Sequence, residues 1–263
     1  MIPDYTTVVG VDERHLKQLA MVWPTWKRHK PKTILEHPMV VFYDRFQVEI
    51  GQIKNVIDHP RLTTVSWPPE GVGYEGDPNT KWYNPRRYMM LAGYVHVPRC
   101  VVKTPYWFKI DTDSVATGND DWINPEWFEG EPAIIGHAWS FTKPPDQMLK
   151  LDAWVEKHSN KLSMLGAFPP LNLTPNPGAA RVGHKRIASW CSFFDTKFTE
   201  SCSRLANMTC GWYQMPVPSQ DGFLWYVAKR MRQGIVRTNM KKRGWQCWNS
   251  DKNVRQAVEK AMI

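Results

Sequence analysis

The chain has 263 residues, of which 42% are hydrophobic and 22% charged, so it reads as an ordinary globular protein of one large domain or two small ones. No stretch is as long and apolar as the roughly 20 residues a bilayer crossing takes, and five cysteines without a C-x-x-C pair argue against a disulfide framework or a zinc site. Thirty-four Lys and Arg against 25 Asp and Glu leave a formal charge of +9, which favours an anionic partner: a nucleotide, a nucleic acid or a membrane surface.

The first residues, MIPDYTTVVGVDERHL, lack the basic start and apolar middle of a secretory signal, so a cytoplasmic protein is expected. YTTVVGV (5–11) is β-branched and apolar and meets Asp12, a good N-cap, ahead of Leu16, Leu19, Ala20 and Trp23 at helical spacing. A strand and then a helix are expected, with Pro24 kinking or restarting the helix. PMVVFYD, ending at Asp44, predicts a second buried strand, and Phe46, Ile50, Ile53 and Ile57 predict a second helix. RLTTVSW is the third strand, and a turn-rich segment leads into RRYMMLAGYVHVPRC, predicted helical up to the region before Pro98. The next strand, YWFKIDTD, ends on Asp111 and Asp113.

The second half is less regular. AIIGHAWSFT and RIASWCSFF predict strands, LKLDAWVEK and TKFTESCSRLA predict helices, and AFPPLNLTPNPG between them predicts a loop. Ser219 offers an N-cap to QDGFLWYVAKRM, whose Leu224, Val227, Ala228 and Met231 form an apolar face. From Gly222 to Ser250 there is no acidic residue, while Lys229, Arg230, Arg232, Arg237, Lys241, Lys242 and Arg243 are basic; a solvated helix face with a basic tail accounts for such a run as well as a binding surface does. Strands alternating with helices in the first half predict an α/β fold with a mostly parallel central sheet flanked by helices. Ligands in such sheets bind beyond the carboxyl ends of the strands, where Asp12, Asp44, Asp111 and Asp113 all fall.

Side chains on an extended chain alternate faces, so Asp111 and Asp113 are expected to point the same way with Cα atoms about 6 to 7 Å apart. Two carboxylates that close repel unless a cation lies between them. Hard oxygen ligands at a strand end suit Mg²⁺ or Mn²⁺, which keep water and substrate phosphates as further ligands. A solvated turn or a cap explains a lone D-x-D equally well, and the apolar strand before it, downstream of the strand and helix units, is what favours a metal.

IDTD at the end of that strand, with the order of elements around it, resembles the GT-A glycosyltransferases, which transfer a sugar from a nucleotide diphosphate sugar. The resemblance covers most of the chain by element order, and only IDTD matches as a motif. It implies one domain over residues 1–263, with a Rossmann-like nucleotide-sugar half (1–118) and an acceptor-binding and C-terminal closing half (119–263). It also implies Mn²⁺ or Mg²⁺ on Asp111 and Asp113, and a donor of the UDP-sugar kind. Val9, Gly10 and Asp12 resemble the family's first strand and nucleotide-contacting turn, although Asp12 serves equally as a helix N-cap. Asp44 resembles the acidic residue that touches the base, and a strand-end turn explains it as well. Lys81, Arg86 and Arg87 stand where relatives place a residue on the donor phosphates. Asp221, in a first helical turn, stands where inverting relatives carry the base that takes the acceptor's proton, and a dipole-complementing role fits it too. Gln220 beside it departs from the family's usual acidic pair, which leaves the stereochemistry open. No His follows His184, so a late His ligand is excluded; KKRGWQCW offers Lys241, Lys242 or Arg243 to the diphosphate, with Trp245 as a lid. His137 and His184 serve as ligands, acceptor contacts or structural residues.

Fourteen tryptophans do not decide the acceptor, because aromatic rings stack on sugars and on bases alike. The surplus charge favours a polyanion, and a modified base in DNA is one candidate beside a glycan, a lipid-linked or a protein acceptor. A nucleic-acid-binding module, or a nucleotidyltransferase or nuclease using the same carboxylates for metal-assisted phosphoryl chemistry, is the alternative class.

Overall fold

The computed structural model describes residues 1–70, 85–140, 185–208, 220–248 and 250–263. Its first half runs β1 (Tyr5–Val11), α1 (Glu13–His29), α2 (Pro31–Leu35), β2 (Met39–Asp44), α3 (Ile50–Val56), β3 (Leu62–Trp67), α4 (Pro85–Val101), β4 (Tyr106–Ile110) and β5 (Ser114–Ala116). The second half follows with β6 (Ile134–Ser140), β7 (Lys185–Asp195), α5 (Thr196–Met208), α6 (Gln220–Arg230), β8 (Ile235–Thr238), β9 (Trp245–Cys247) and α7 (Asp251–Met262). Among the described residues, seven strands form one sheet in the order β3, β2, β1, β4, β7, β6, β8. The strands β1 to β4 are parallel, β7 is antiparallel to both β4 and β6, and β8 is parallel to β6. The parallel core matches the expected α/β sheet, and β7 is what makes it mixed.

Both faces are covered, which is why the central strands read as apolar runs rather than alternating ones. On one face Val8, Val40, Phe42 and Trp107 pack with Tyr94, Val95 and Val97 of α4 and Leu224 to Ala228 of α6. On the other, Val9, Val11, Val41, Phe108 and Ile110 pack with Leu16, Leu19, Val22, Trp23 and Trp26 of α1 and Val254 of α7. Lys109 pairs in register with Val8, and strand alternation places it on the α4 face beside Trp107.

That face depends on two close approaches. A Cβ at Gly10 would meet the Phe42 ring at 2.4 Å, and one at Gly93 of α4 would meet the same ring at 2.4 Å. Without side chains there, α4 lies close enough for the Tyr94 hydroxyl to accept the Gly10 N–H at 2.7 Å. Phe42 and Tyr94 meet edge to face at 4.7 Å between centroids.

The structure departs from the sequence reading at several points. Helix α1 runs unbroken through Pro24, whose ring lies on the exposed side, so the one missing backbone donor faces water. Helix α4 likewise continues past Pro98 to Val101, held by core contacts of Val97 and Val102. Helix α3 begins only at Ile50, because the Asp44 side chain holds residues 44–47 in a turn and Glu49 and Gln52 form a capping box. Phe46 and Ile50, expected on a buried face, are 51% and 44% exposed. The basic run after Arg230 contains β8 and β9, short strands that exist through pairing with β6 and β5. The expected helix over 149–157 and the loop AFPPLNLTPNPG lie outside the described residues.

Gly10→Ala is expected to destabilise the protein by about 1 to 3 kcal/mol through overpacking against Phe42. Urea denaturation of Gly10→Ala and of Gly10→Ala/Phe42→Leu checks it, with the second change recovering part of the loss.

Candidate functional site

Strand β4 ends at Ile110, opposite Cys191 of β7, and the Asp111 N–H makes a further cross-strand bond to the Trp190 carbonyl at 2.9 Å. The chain then turns, and the Ser114 N–H closes the turn on the Asp111 carbonyl at 3.0 Å. The aspartates therefore sit in a turn, which corrects the extended geometry expected from spacing.

Their carboxylates still share one environment. Lys109 Nζ bonds Asp111 Oδ1, with the lysine side chain 2% exposed and the aspartate 37%. The same ammonium lies 4.5 Å from the centroid of the Tyr94 ring, a cation–π contact. Burial first, and then the charge of Asp111, push the Asp113 carboxyl up from 3.8 to about 6, against the opposing pull of the Cys247 thiol and Lys109. Burial, followed by the charges of Asp111, Asp113 and Asp12, pushes the Tyr94 hydroxyl well up, consistent with all three acids lying near that ring.

Asp113 is held from the C-terminal segment. Its Oδ1 accepts from the Cys247 thiol at 3.3 Å, and its carbonyl accepts from the Trp248 N–H at 3.3 Å. Burial, and then the two aspartates, push that thiol far up, so Cys247 stays a donor. The antiparallel pairing of β5 with β9 brings it there, with Ser114 opposite Cys247 and Ala116 opposite Trp245. Gly244, at φ +82°, starts that pairing: a Cβ would meet the Thr117 carbonyl oxygen at 2.1 Å, so no other residue fits. Helix α1 braces the same segment, since Trp26 Nε1 donates to the Ser114 carbonyl at 2.6 Å.

Other expected residues separate into those at the pair and those away from it. Asp12 caps α1, accepting from the His15 N–H at 2.8 Å and pairing with its ring; burial raises its carboxyl and the His15 bonds more than offset that, holding it low. Gly10 presents its N–H to Tyr94, while Val9 is wholly buried in the core. Asp44 is fully buried, its oxygens accepting from the Phe46 N–H at 3.0 Å and from Gln47 Nε2, so it shapes its own turn.

Trp245 is also fully buried, against Trp26, Phe108 and Trp122, and is therefore a core residue, which corrects the expected lid. Lys241, Lys242 and Arg243 are exposed on a 3₁₀ turn just before β9. Met240, at the start of that turn, is tied to His137, whose ring packs against Trp190, the residue whose carbonyl accepts the Asp111 N–H. Arg243 lies over the Trp127 ring at 5.3 Å, and its carbonyl accepts from the buried Lys30. His137 Nδ1 accepts the Met240 N–H at 3.2 Å, a structural anchor. Arg86, Arg87 and Asp221 lie on the first turns of α4 and α6, with their side chains outside the described residues; Lys81 and His184 also lie outside them. Tyr94, Lys109 and Cys247 were missed at the sequence level. Only Lys109 carried a signal, as a lysine inside an apolar strand two residues before Asp111.

Among the described residues no three His, Cys, Asp or Glu side chains form a closed metal cage. The pair nevertheless fits a divalent cation of the Mg²⁺ or Mn²⁺ kind, which takes one or two carboxylates and fills its shell with water and phosphate oxygens. The observation behind that fit is a second carboxylate beside Asp111 at the end of β4, pushed up to about 6 by burial first and by the Asp111 charge second. Cavities of about 580 and 570 Å³ lie at the amino ends of β3 and β4, lined by residues such as His59 and Leu62, and Pro105 and Tyr106. That edge is opposite to the one where open α/β sheets take ligands. Among the described residues, no helix is long and apolar enough to cross a membrane.

No family model matches the sequence, and no curated protein does. Among solved structures the chain is similar to the mannosyltransferase Ktr4p from S. cerevisiae, with a TM-score of 0.50 and 11% identity over 86% of this chain and 66% of that one. This chain thus spans just under two thirds of that protein's length. It is also similar to the galactosyltransferase LgtC in complex with donor and acceptor sugar analogues, with a TM-score of 0.51 and 10% identity over 96% of this chain and 82% of that one. At such identities the likeness is one of fold, and the fold is the expected GT-A one.

Asp113 gives the site a pH signature. Folding favours its protonated form, so its contribution to stability is fully present below about 3.8 and is lost as pH rises through about 6. Chemical denaturation without metal is expected to show Asp113→Asn gaining on the parent between pH 4 and 7, by on the order of 2 kcal/mol. Mn²⁺ binding by the parent should weaken as pH falls below about 6.

Proposed function

We propose that this protein is a glycosyltransferase, moving a sugar from a nucleoside diphosphate sugar, of the UDP kind, to an acceptor hydroxyl. The observation that carries the reading is the pair Asp111 and Asp113 at the carboxyl end of β4, in a sheet of the same fold as solved glycosyltransferases. The two carboxylates hold Mn²⁺ or Mg²⁺, which when bound offsets the charge of the departing diphosphate.

The protein's own groups do the rest. Asp12 and the Gly10 backbone flank the pair from β1, on the side where the nucleoside enters. Lys81, Arg86 and Arg87 supply charge to the donor phosphates. Asp221, at the amino end of α6, takes the proton of the acceptor hydroxyl, a step that requires hydrogen-bond reach to it. Lys241, Lys242 and Arg243, exposed on the turn before β9, offer charge to the donor diphosphate. The net charge of +9 favours an anionic acceptor, for which a modified base in DNA is one candidate beside a glycan, a lipid-linked or a protein acceptor.

Mn²⁺-dependent hydrolysis and transfer from a panel of UDP and GDP sugars, with and without duplex DNA, tests the reading. Asp111→Asn and Asp113→Asn should each lower turnover about 100-fold or more while the proteins stay folded. Asp221→Asn should lower kcat on the order of 100-fold with donor binding retained. Parent-level donor binding by both Asn variants at the pair contradicts the assignment, and binding to DNA that does not change with rising salt removes the polyanionic acceptor.

A further inference from the structure

We propose that Lys109 is the resident counter-ion of the acidic pair: with no metal bound it supplies the positive charge that holds Asp111 in place, and it thereby limits how tightly a divalent cation binds there. This rests on the functional reading only in taking Asp111 and Asp113 as the metal's ligands.

A lysine with 2% of its side chain exposed, inside a strand whose other members are Tyr106, Trp107, Phe108 and Ile110, does nothing for solubility. A leucine or methionine would fill the space without desolvating an ammonium group, which is costly unless the charge is paired. What the lysine adds is a charge beside Asp111. Its Nζ bonds Asp111 Oδ1 and lies over the Tyr94 ring. The Tyr94 hydroxyl is in turn engaged by the Gly10 N–H at the end of β1.

The charge of Lys109 also acts beyond Asp111, pulling down the groups whose burial pushes them up at Asp113, Cys191 and Cys247. The Asp111 N–H still bonds the Trp190 carbonyl across the strands, so the backbone holds Asp111 just past the end of β4, two residues from Lys109. A divalent cation on Asp111 therefore arrives within a few ångströms of a fixed positive charge. Repulsion at that range, in a partly buried site, weakens the metal. The same charge lets the carboxylates stay together without metal, so the site waits in its final arrangement rather than assembling on the ion.

Titration of the full-length parent and variants with Mn²⁺ alone, by calorimetry, together with thermal unfolding with and without Mn²⁺, tests this. Lys109→Met is expected to bind Mn²⁺ on the order of tenfold more tightly, to melt lower without metal, and to show a larger Mn²⁺-induced rise. Lys109→Arg keeps the charge and stays near parental affinity. Equal or weaker Mn²⁺ binding by a folded Lys109→Met overturns the proposal. If that variant does not fold with or without Mn²⁺, Lys109→Met/Asp111→Asn decides: recovery of the fold supports a counter-ion, and continued failure overturns it. A parent that binds no Mn²⁺ contradicts the functional reading itself, a result visible before any variant is compared.

Discussion

Two carboxylates placed side by side at the end of an apolar strand repel each other and lose hydration, so the chain can keep them there only by supplying compensation. Much of the architecture around β4 is that compensation. Lys109 meets Asp111 from within the strand, and Cys247 meets Asp113 from the C-terminal segment. The two partners differ in kind. One is a buried full charge and the other a weak neutral donor, and neither offsets the burial that, ahead of the charge of Asp111, pushes the Asp113 carboxyl up to about 6.

The supports of those partners reach across the fold. Lys109 needs the Tyr94 ring, Tyr94 needs α4 close to β1, and that approach needs glycine at 10 and 93 around Phe42. Cys247 needs β9 paired to β5, which needs the left-handed turn at Gly244 and the brace from α1 through Trp26. Core packing on both faces of the sheet thus ends in the positions of two side chains.

The parallel half was legible because its signals are local. Apolar strands, the Asp12 cap and helical spacing mark β1, α1, β2, β3 and β4 where the structure has them. The prolines misled, since Pro24 and Pro98 were weighed by their missing donor while core contacts kept both helices intact. Within the site Asp111 and Asp113 were legible, and their turn geometry was not, because strand alternation was carried past the last residue of β4. Trp245 is a different case: the pairing of β9 with β5 joins residues far apart in sequence, so no local pattern shows that Trp245 is buried. Lys109 was within reach of the same period-two reasoning that singled out the aspartates.

The central claim is that Asp111 and Asp113 together seat a divalent cation against a nucleoside diphosphate. Anomalous scattering from crystals grown with Mn²⁺ and UDP or GDP tests it most directly. The account predicts a manganese peak beside Asp111 and Asp113, with the nucleotide's diphosphate at the carboxyl end of β4. Nucleotide bound at that edge with no manganese beside either aspartate, or manganese held elsewhere, would contradict it.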